Sequence, residues 1–181
     1  MFCQFFLGYS QNFPQDKNMI YWSSNPLEWQ DFKRKAPKGS TYDAETVSAI
    51  DVQMAVSMDS VIVAVYTYFD PGRSWKKNKK LTPELLKHEQ LHFDITEYHS
   101  RLLRKDLLNA VFKKPQSAGK TIQKLFNRRV KKWKKMQNAY DSETKHSTIV
   151  SEQKKWEESI STYLKETKKY TETILRFAIT G

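Results

Sequence analysis

The run His88-Glu89-Gln90-Leu91-His92 holds the residue types best able to do chemistry in this chain. On an α-helix, histidines at positions i and i+4 lie on one face, so the imidazoles of His88 and His92 can bind one zinc ion (Zn²⁺). Glu89 between them is placed to accept a proton from water at the metal. Two histidines that only satisfy hydrogen bonds in a helical core are the alternative, and the complete pattern favours the metal site.

A catalytic zinc site usually has three protein ligands, so one ligand is still needed. His146 is the first candidate, because an imidazole from a second element would complete a three-histidine site. Glu143 is the alternative metal ligand, since it would give two histidines and one glutamate. The segment 140–147 that holds both could instead be a turn between helices, with Asp141 or Ser142 as N-cap.

The metal site requires a helix that begins before His88. Thr82 is suited to the N-cap, Pro83 to the first helical position and Glu84 to the positive end of the helix dipole. Apolar residues then recur at helical spacing, which predicts a helix over 82–113.

His99 lies on the same face of this predicted helix but seven residues after His92. That spacing is about 10 Å along the axis at 1.5 Å per residue. We therefore do not expect His99 to bind the same ion.

The remaining elements fall into a sheet followed by helices. Strands are predicted over 45–56 and 61–69 from their Val, Ile and Tyr content, with an irregular strand segment over 18–35. Further helices are predicted over 117–138 and 148–168. This order predicts an α+β domain in which a small antiparallel sheet precedes a bundle of about three helices, with the metal site on the first long helix.

The strand ending at Phe69 has two possible roles. It could lie at a sheet edge and bind the backbone of an extended substrate, or it could be an ordinary internal strand.

The composition describes one basic, folded domain. The chain has 181 residues and a formal charge of +11, from 31 Lys and Arg against 20 Asp and Glu. Much of the excess lies in one predicted amphipathic helix, whose basic residues are Lys120, Lys124, Arg128, Arg129, Lys131, Lys132, Lys134 and Lys135. We favour packing of its apolar face on the zinc helix, with weak association to anionic surfaces left open. No nucleic-acid-binding motif is present, so no specific nucleic acid is expected.

The N-terminal residues 1–17 are predicted to be a signal-peptide remnant with a disordered lead, because an apolar run is followed by small and polar residues. A short buried strand is the alternative. The prediction implies export to the periplasm, the cell envelope or the medium, with residues 18–181 as one metalloprotease-like domain. Cys3 is the only cysteine, which excludes a disulfide framework and a zinc site built from cysteines.

Four segments, 26–32, 68–75, 86–97 and 140–146, resemble a bacterial domain family of unknown function whose members are described as predicted secreted zinc-dependent proteases. The resemblance implies a metal-dependent hydrolase with His88, His92 and His146 as ligands and Glu89 as base. The family usually has Gly where this chain has Ser147, and commonly Gly at the position of Leu91.

Together these observations predict a zinc-dependent peptide hydrolase in which Glu89 is the general base for a metal-activated water. Tyr140, close to the proposed third ligand, is a candidate hydrogen-bond donor to the developing oxyanion. The expected partner is a peptide or protein substrate. The alternative is a non-catalytic, zinc-stabilised envelope module whose basic helix binds an acidic partner or surface.

Overall fold

The computed structural model describes residues 4–6, 13–23, 25–78 and 81–180. These residues form a five-stranded sheet, a three-stranded sheet and three long helices, which confirms the predicted α+β fold. The elements in chain order are β1 (Gln4–Phe6), β2 (Ile20–Tyr21), β3 (Arg34–Lys35), β4 (Ala44–Glu45), β5 (Ser48–Val56), β6 (Ser60–Phe69), β7 (Trp75–Lys76), α1 (Pro83–Leu108), α2 (Pro115–Thr144), α3 (Val150–Glu166) and β8 (Ile174–Ala178). Short 3-10 turns lie at Trp29–Asp31 and Lys168–Tyr170.

The hairpin of β5 and β6 is the centre of the larger sheet. The two strands pair antiparallel along their length, from Ser48 opposite Phe69 to Val56 opposite Val61. The other edge of β6 pairs with β2 and with β8. The strand ending at Phe69 is therefore internal, which confirms the second of its two possible roles and excludes an open edge for a substrate. Strand β8, which returns to the sheet after the helices, was not predicted.

The segment predicted as a leader contributes to this sheet, because β1 pairs in parallel with β5. Phe13 also lies in a small core cluster with Ala64 and Tyr66. The boundary at residue 18 and the export signal stay predictions.

Helix α1 begins as its sequence predicts. The hydroxyl of Thr82 accepts a hydrogen bond from the Leu85 amide at 3.1 Å, and Pro83 is the first helical residue. The C-terminal half of α1 packs on the sheet through Leu103 and Leu107, which are fully buried. Residues of α2 complete this core, so the apolar face of the basic helix packs inward as expected.

Helix α2 runs to Thr144 rather than ending at 138, so it includes part of the segment predicted as a turn. Tyr140 and Thr144, one turn apart, are both fully buried. The hydroxyl of Thr144 donates to the Tyr140 carbonyl at 2.7 Å. The segment contains no Gly or Pro that would end the helix, and the burial of Tyr140 and Thr144 stabilises its last turns.

A buried ionic network holds α1 on the sheet. Oε1 of Glu97 accepts hydrogen bonds from Arg101 at 2.8 Å and from Arg104 at 3.0 Å. Arg104 also donates to the Val65 carbonyl of β6 at 2.8 Å, and Thr67 of β6 donates to Glu97 at 2.7 Å. Both arginines and Glu97 are almost fully buried, so each charge depends on its partners.

Within the described part of the chain, none of the helices combines the length and apolar character needed to cross a membrane.

His99 makes the stability of this fold sensitive to acid. Its side chain is buried, and burial together with the nearby charges of Arg129 and Lys132 lowers its pKa from 6.5 to about 3. In the unfolded chain the His99 imidazole binds a proton below about pH 6.5, whereas in the folded chain it stays neutral down to about pH 3. The free energy of unfolding therefore decreases as pH falls from about 6.5 to about 3.

We expect this loss to reach up to about 1.4 kcal/mol per pH unit, and His99→Leu to remove it. Denaturant unfolding of both proteins at several values of pH measures the effect, with the wild type at neutral pH as the reference. The same pH dependence in both proteins would contradict the assignment to His99.

Candidate metal centre

Helix α1 places the two histidines of the sequence pattern side by side. The rings of His88 and His92 lie perpendicular, with centroids 4.8 Å apart, and their Nε2 atoms are 3.2 Å apart. His88 is buried and His92 nearly so. Both Nε2 atoms therefore converge on one point, as the helical spacing predicts.

Asp141 on the last turn of α2 completes this group. Its Oδ1 lies 3.3 Å from Nε2 of His88 and 3.0 Å from Nε2 of His92. Ligand atoms about 2.0–2.1 Å from a tetrahedral zinc ion are about 3.3 Å from each other, so this triangle has the dimensions of one face of a zinc site. Asp141 Oδ1 is also a buried oxygen without a hydrogen bond of good geometry in the described chain. A bound cation would satisfy this oxygen.

His146 lies at the exposed side of the same group. Its Nδ1 is 3.3 Å from Asp141 Oδ1, and its side chain is 44 % exposed and packs on the ring of Tyr42. The donor atoms of His88, Asp141 and His146 all lie within 4.8 Å of one another. The structure thus brings the first predicted candidate to the site together with Asp141, which sequence reasoning had treated only as a possible N-cap.

Glu143, the alternative ligand, is placed elsewhere. Its carboxylate accepts a hydrogen bond from the Trp156 indole at 2.9 Å, and it is outside the cluster of potential ligands. Asp141 and Glu143 are two residues apart, so their side chains point about 200° apart around the helix at 100° per residue and cannot both face α1.

A left-handed turn returns His146 to the site. Lys145, His146 and Ser147 have φ angles of 46°, 51° and 70°, a conformation that costs a non-glycine residue about 1–2 kcal/mol. The turn is closed by hydrogen bonds from the His146 amide to the Asp141 carbonyl at 3.0 Å and from the Ile149 amide to the Thr144 carbonyl at 2.9 Å. The positive φ angle of Ser147 is one that glycine adopts without steric cost, which explains why glycine would be favourable at this position.

Two glutamines orient the histidines. Gln137 Oε1 accepts a hydrogen bond from Nδ1 of His92 at 2.7 Å, and its amide donates to the His92 carbonyl at 2.9 Å. Gln153 of α3 accepts from Nδ1 of His88 at 3.1 Å. Since an amide oxygen only accepts, each Nδ1 carries the proton and each Nε2 keeps its lone pair for a metal.

Tyr140 supports His88 from behind. Its fully buried ring stacks on that of His88 at 4.6 Å, and its hydroxyl lies 2.8 Å from Gln153 Oε1 and 3.2 Å from the His88 carbonyl. Burial raises the pKa of this hydroxyl far above its usual value, so it keeps its proton for these bonds. These contacts are those of a positioning residue, and the oxyanion role of Tyr140 stays a prediction.

Glu89 carries a buried oxygen that no described group satisfies. The residue is only 3 % exposed, and its carboxylate Oε2 has no hydrogen-bond partner in the described chain. Its backbone carbonyl accepts from the Thr46 hydroxyl at 3.1 Å, which ties α1 to the segment before β5. Burial of an unpaired carboxylate oxygen is costly, so a bound water or ligand is expected beside it.

The charges around the histidines favour a cation. Burial lowers the pKa of His92, but the contact of its ring with the Asp141 carboxylate and the charges of Glu89 and Asp141 outweigh this effect, and the net pKa is raised. Burial likewise raises the pKa of Asp141, but its contacts with His88, His92 and His146 outweigh it and hold the pKa well below its usual value. A site with this field would also stabilise a metal ion.

These side chains face an open groove of about 1670 Å³. One wall is the segment 37–49, and the other is the C-terminal part of α2 with the turn that follows it. His88, Glu89, His92, Asp141 and His146 all line the groove. Tyr140 and Glu143 do not, in agreement with their contacts elsewhere.

The fold and site define an α+β domain in which a helix-borne His-Glu-x-x-His run and a carboxylate from a second helix face one groove. The family model described as "Bacterial protein of unknown function (DUF922)" matches residues 27–147, and the chain belongs to this family. The match extends to Ser147, so it includes all five candidate site residues that line the groove: His88, Glu89, His92, Asp141 and His146. No curated protein and no solved structure matches the chain.

The left-handed turn predicts a stabilising substitution. Ser147→Gly should raise the free energy of unfolding by about 1 kcal/mol, because glycine adopts a positive φ without steric cost. Ser142→Gly, an exposed position inside α2, is the matched control and should lower it by about 0.5–1 kcal/mol. Denaturant unfolding measures both, and equal destabilisation by the two variants would argue against strain at Ser147.

Proposed function

We propose that this protein is a zinc-dependent peptide hydrolase in which His88, His92 and Asp141 hold the ion. The observation that carries the proposal is the triangle of potential ligand atoms with edges of 3.0, 3.2 and 3.3 Å. The triangle lines the same groove as Glu89, whose Oε2 has no hydrogen-bond partner in the described chain. His146 adds a fourth donor at the exposed side.

When bound, zinc would polarise a substrate carbonyl and lower the pKa of a water toward about 7. In our proposal Glu89 takes a proton from the attacking water and passes it to the nitrogen of the leaving amine. Its unsatisfied, buried oxygen supports this role, because a base must have a free lone pair. Gln137, Gln153 and Tyr140 keep the imidazoles in the orientation and tautomer that the ion requires.

The size of the groove supports a polymeric substrate. At about 1670 Å³ it exceeds the roughly 300–1,000 Å³ typical of pockets for small molecules. A peptide segment could therefore lie between the segment 37–49 and the end of α2. We further propose that the protein acts after export, as its apolar N-terminal run suggests.

Metal content and peptidase activity of four proteins test this assignment. We expect wild type and Glu89→Gln to hold one zinc per chain, Asp141→Ala to lose it, and His146→Ala to retain it with lower affinity. Elemental analysis after dialysis measures the zinc.

On a mixed peptide library, wild type should show chelator-sensitive cleavage, and Glu89→Gln should lose about 10²–10⁴-fold in rate. Zinc lost with His146→Ala but kept by Asp141→Ala would assign the third ligand to His146 instead. Undiminished cleavage by Glu89→Gln would reject the role of Glu89, and zinc binding without cleavage of any peptide would favour a non-catalytic zinc-stabilised module.

Removing the glutamine that orients His92 should weaken metal binding. We expect Gln137→Leu to lower the zinc affinity about 10–100-fold, because the ring loses the acceptor that fixes its tautomer. Competition with a chromophoric chelator measures the affinity. The control is Gln123→Leu on the same helix. The Gln123 amide donates to the Asn127 side chain at 2.8 Å, away from the histidines, so this variant should leave the zinc affinity unchanged. Equal affinities for both variants would contradict an orienting role for Gln137.

A further inference from the structure

Large apolar side chains are exposed at one end of the molecule. Within the described residues, five are exposed: Tyr42, Met58, Leu108, Val111 and Val150. Three of these lie close together in the fold: Met58 in the β5–β6 turn, Leu108 at the last residue of α1, and Val111 in the connection between α1 and α2. Met58 is 93 % exposed and Val111 65 %, so neither contributes to the core.

Backbone hydrogen bonds hold the two connections side by side. The amide of Ile179, just after β8, donates to the Asp59 carbonyl at 2.8 Å. The next amide, that of Thr180, donates to the Phe112 carbonyl at 3.0 Å. Met58 precedes Asp59 and Val111 precedes Phe112, the two residues whose carbonyls accept these hydrogen bonds. We call the group Met58, Leu108 and Val111 the apolar tip.

Cations surround the apolar tip. Lys113, Lys114, Lys120 and Arg176 are all exposed and lie on the α1–α2 connection, the first turns of α2 and β8. Asp106, near the end of α1, is paired with Arg128 and Arg129, so it does not offset these charges. Asp59 is the remaining acidic residue in the β5–β6 turn. The net charge of this end is therefore positive.

We propose that the apolar tip and its lysines dock on the surface of an anionic phospholipid membrane. Exposed apolar side chains that enter the boundary between headgroups and acyl chains, with Lys and Arg against anionic lipids, are the two components of interfacial binding. A second copy of the chain would bring the lysines of both tips together, which charge repulsion opposes. A nucleic acid would pair with the lysines but would leave Met58 and Val111 without a contact.

Docking in this orientation leaves the groove accessible. Helix α1 runs from the metal centre to the apolar tip, and His92 and Leu108 are sixteen residues apart. This spacing is about 24 Å along the axis at 1.5 Å per residue. The candidate site would lie that far from the anchoring end, and the inference does not depend on hydrolysis or on zinc.

Vesicle co-sedimentation of the full chain tests the proposal. The probes are vesicles of phosphatidylcholine alone and of phosphatidylcholine mixed with phosphatidylglycerol. We expect wild type to bind the mixed vesicles, and the double variant Lys113→Glu/Lys114→Glu to bind them at least about tenfold more weakly. Met58→Ser/Val111→Ser should also reduce binding, including at a salt concentration that screens charge.

Matched controls separate docking from general attraction of a basic protein. Lys154→Glu/Lys165→Glu makes the same change in net charge on α3, and Val150→Ser removes an exposed apolar side chain at the start of α3. Both controls should bind like wild type. The altered residues are exposed, and unchanged thermal unfolding will confirm that each variant folds.

Four results would overturn the proposal. The first is wild type that does not sediment with the mixed vesicles. The second is control variants that reduce binding as much as the tip variants do. Binding that is lost with Lys131→Glu/Lys135→Glu but kept by Met58→Ser/Val111→Ser would assign the contact to the basic face of α2. A dimer in light scattering that dissociates in Met58→Ser/Val111→Ser would make a second copy the partner instead.

Discussion

The buried carboxylate of Glu97 organises this molecule, because two arginines that neutralise it also bind three other parts of the chain. Arg104 donates to the carbonyls of Val65 and Tyr170, at 2.8 Å and 3.2 Å, and Arg101 donates to that of Leu164 at 2.7 Å. One ionic cluster thus joins α1 to the sheet, to α3 and to the turn before β8. Loss of one partner would leave an uncompensated buried charge, so the arrangement is strongly specified.

The candidate metal centre depends on that arrangement through α3. Leu164, bound by Arg101, is on the same helix as Gln153, which accepts from His88. Helix α2 contributes Asp141 and Gln137, so three helices must hold their relative positions for the ligand atoms to meet. The site lies where these helices converge beside the segment before β5.

The side chains that orient the two histidines are neutral amides, so they leave the net charge of the candidate metal centre unchanged. Gln137 and Gln153 orient the histidines without adding negative charge, and the negative charges that act on His92 are those of Glu89 and Asp141. A carboxylate in place of either amide would make the histidines more basic and the cluster more negative. The amides therefore keep the ligand geometry and leave the Glu89 carboxylate as a distinct group facing the groove.

Local sequence signals predicted the first long helix, its N-cap at Thr82 and the convergence of His88 and His92, because each depends on residues within a few turns of one another. The same signals did not predict β8 and left both an edge and an internal position open for β6, since strand pairing joins segments distant in the chain. The predicted ends of α1 at 113 and of α2 at 138 were wrong for a similar reason. Other elements bury Tyr140, and the Phe112 carbonyl accepts a hydrogen bond from the amide of Thr180, which follows β8.

By itself, the sequence determined the α+β class, the residue types able to hold a metal ion and the helix that presents two of them. Only the tertiary structure decided that Asp141 faces the histidines and that Glu143 contacts Trp156. Both acids lie on the same helix two residues apart, and only the direction from which α1 and α3 pack distinguishes their faces. The return of His146 required a left-handed turn that no local propensity favours, and hydrogen bonds to Asp141 and Thr144 hold it in place.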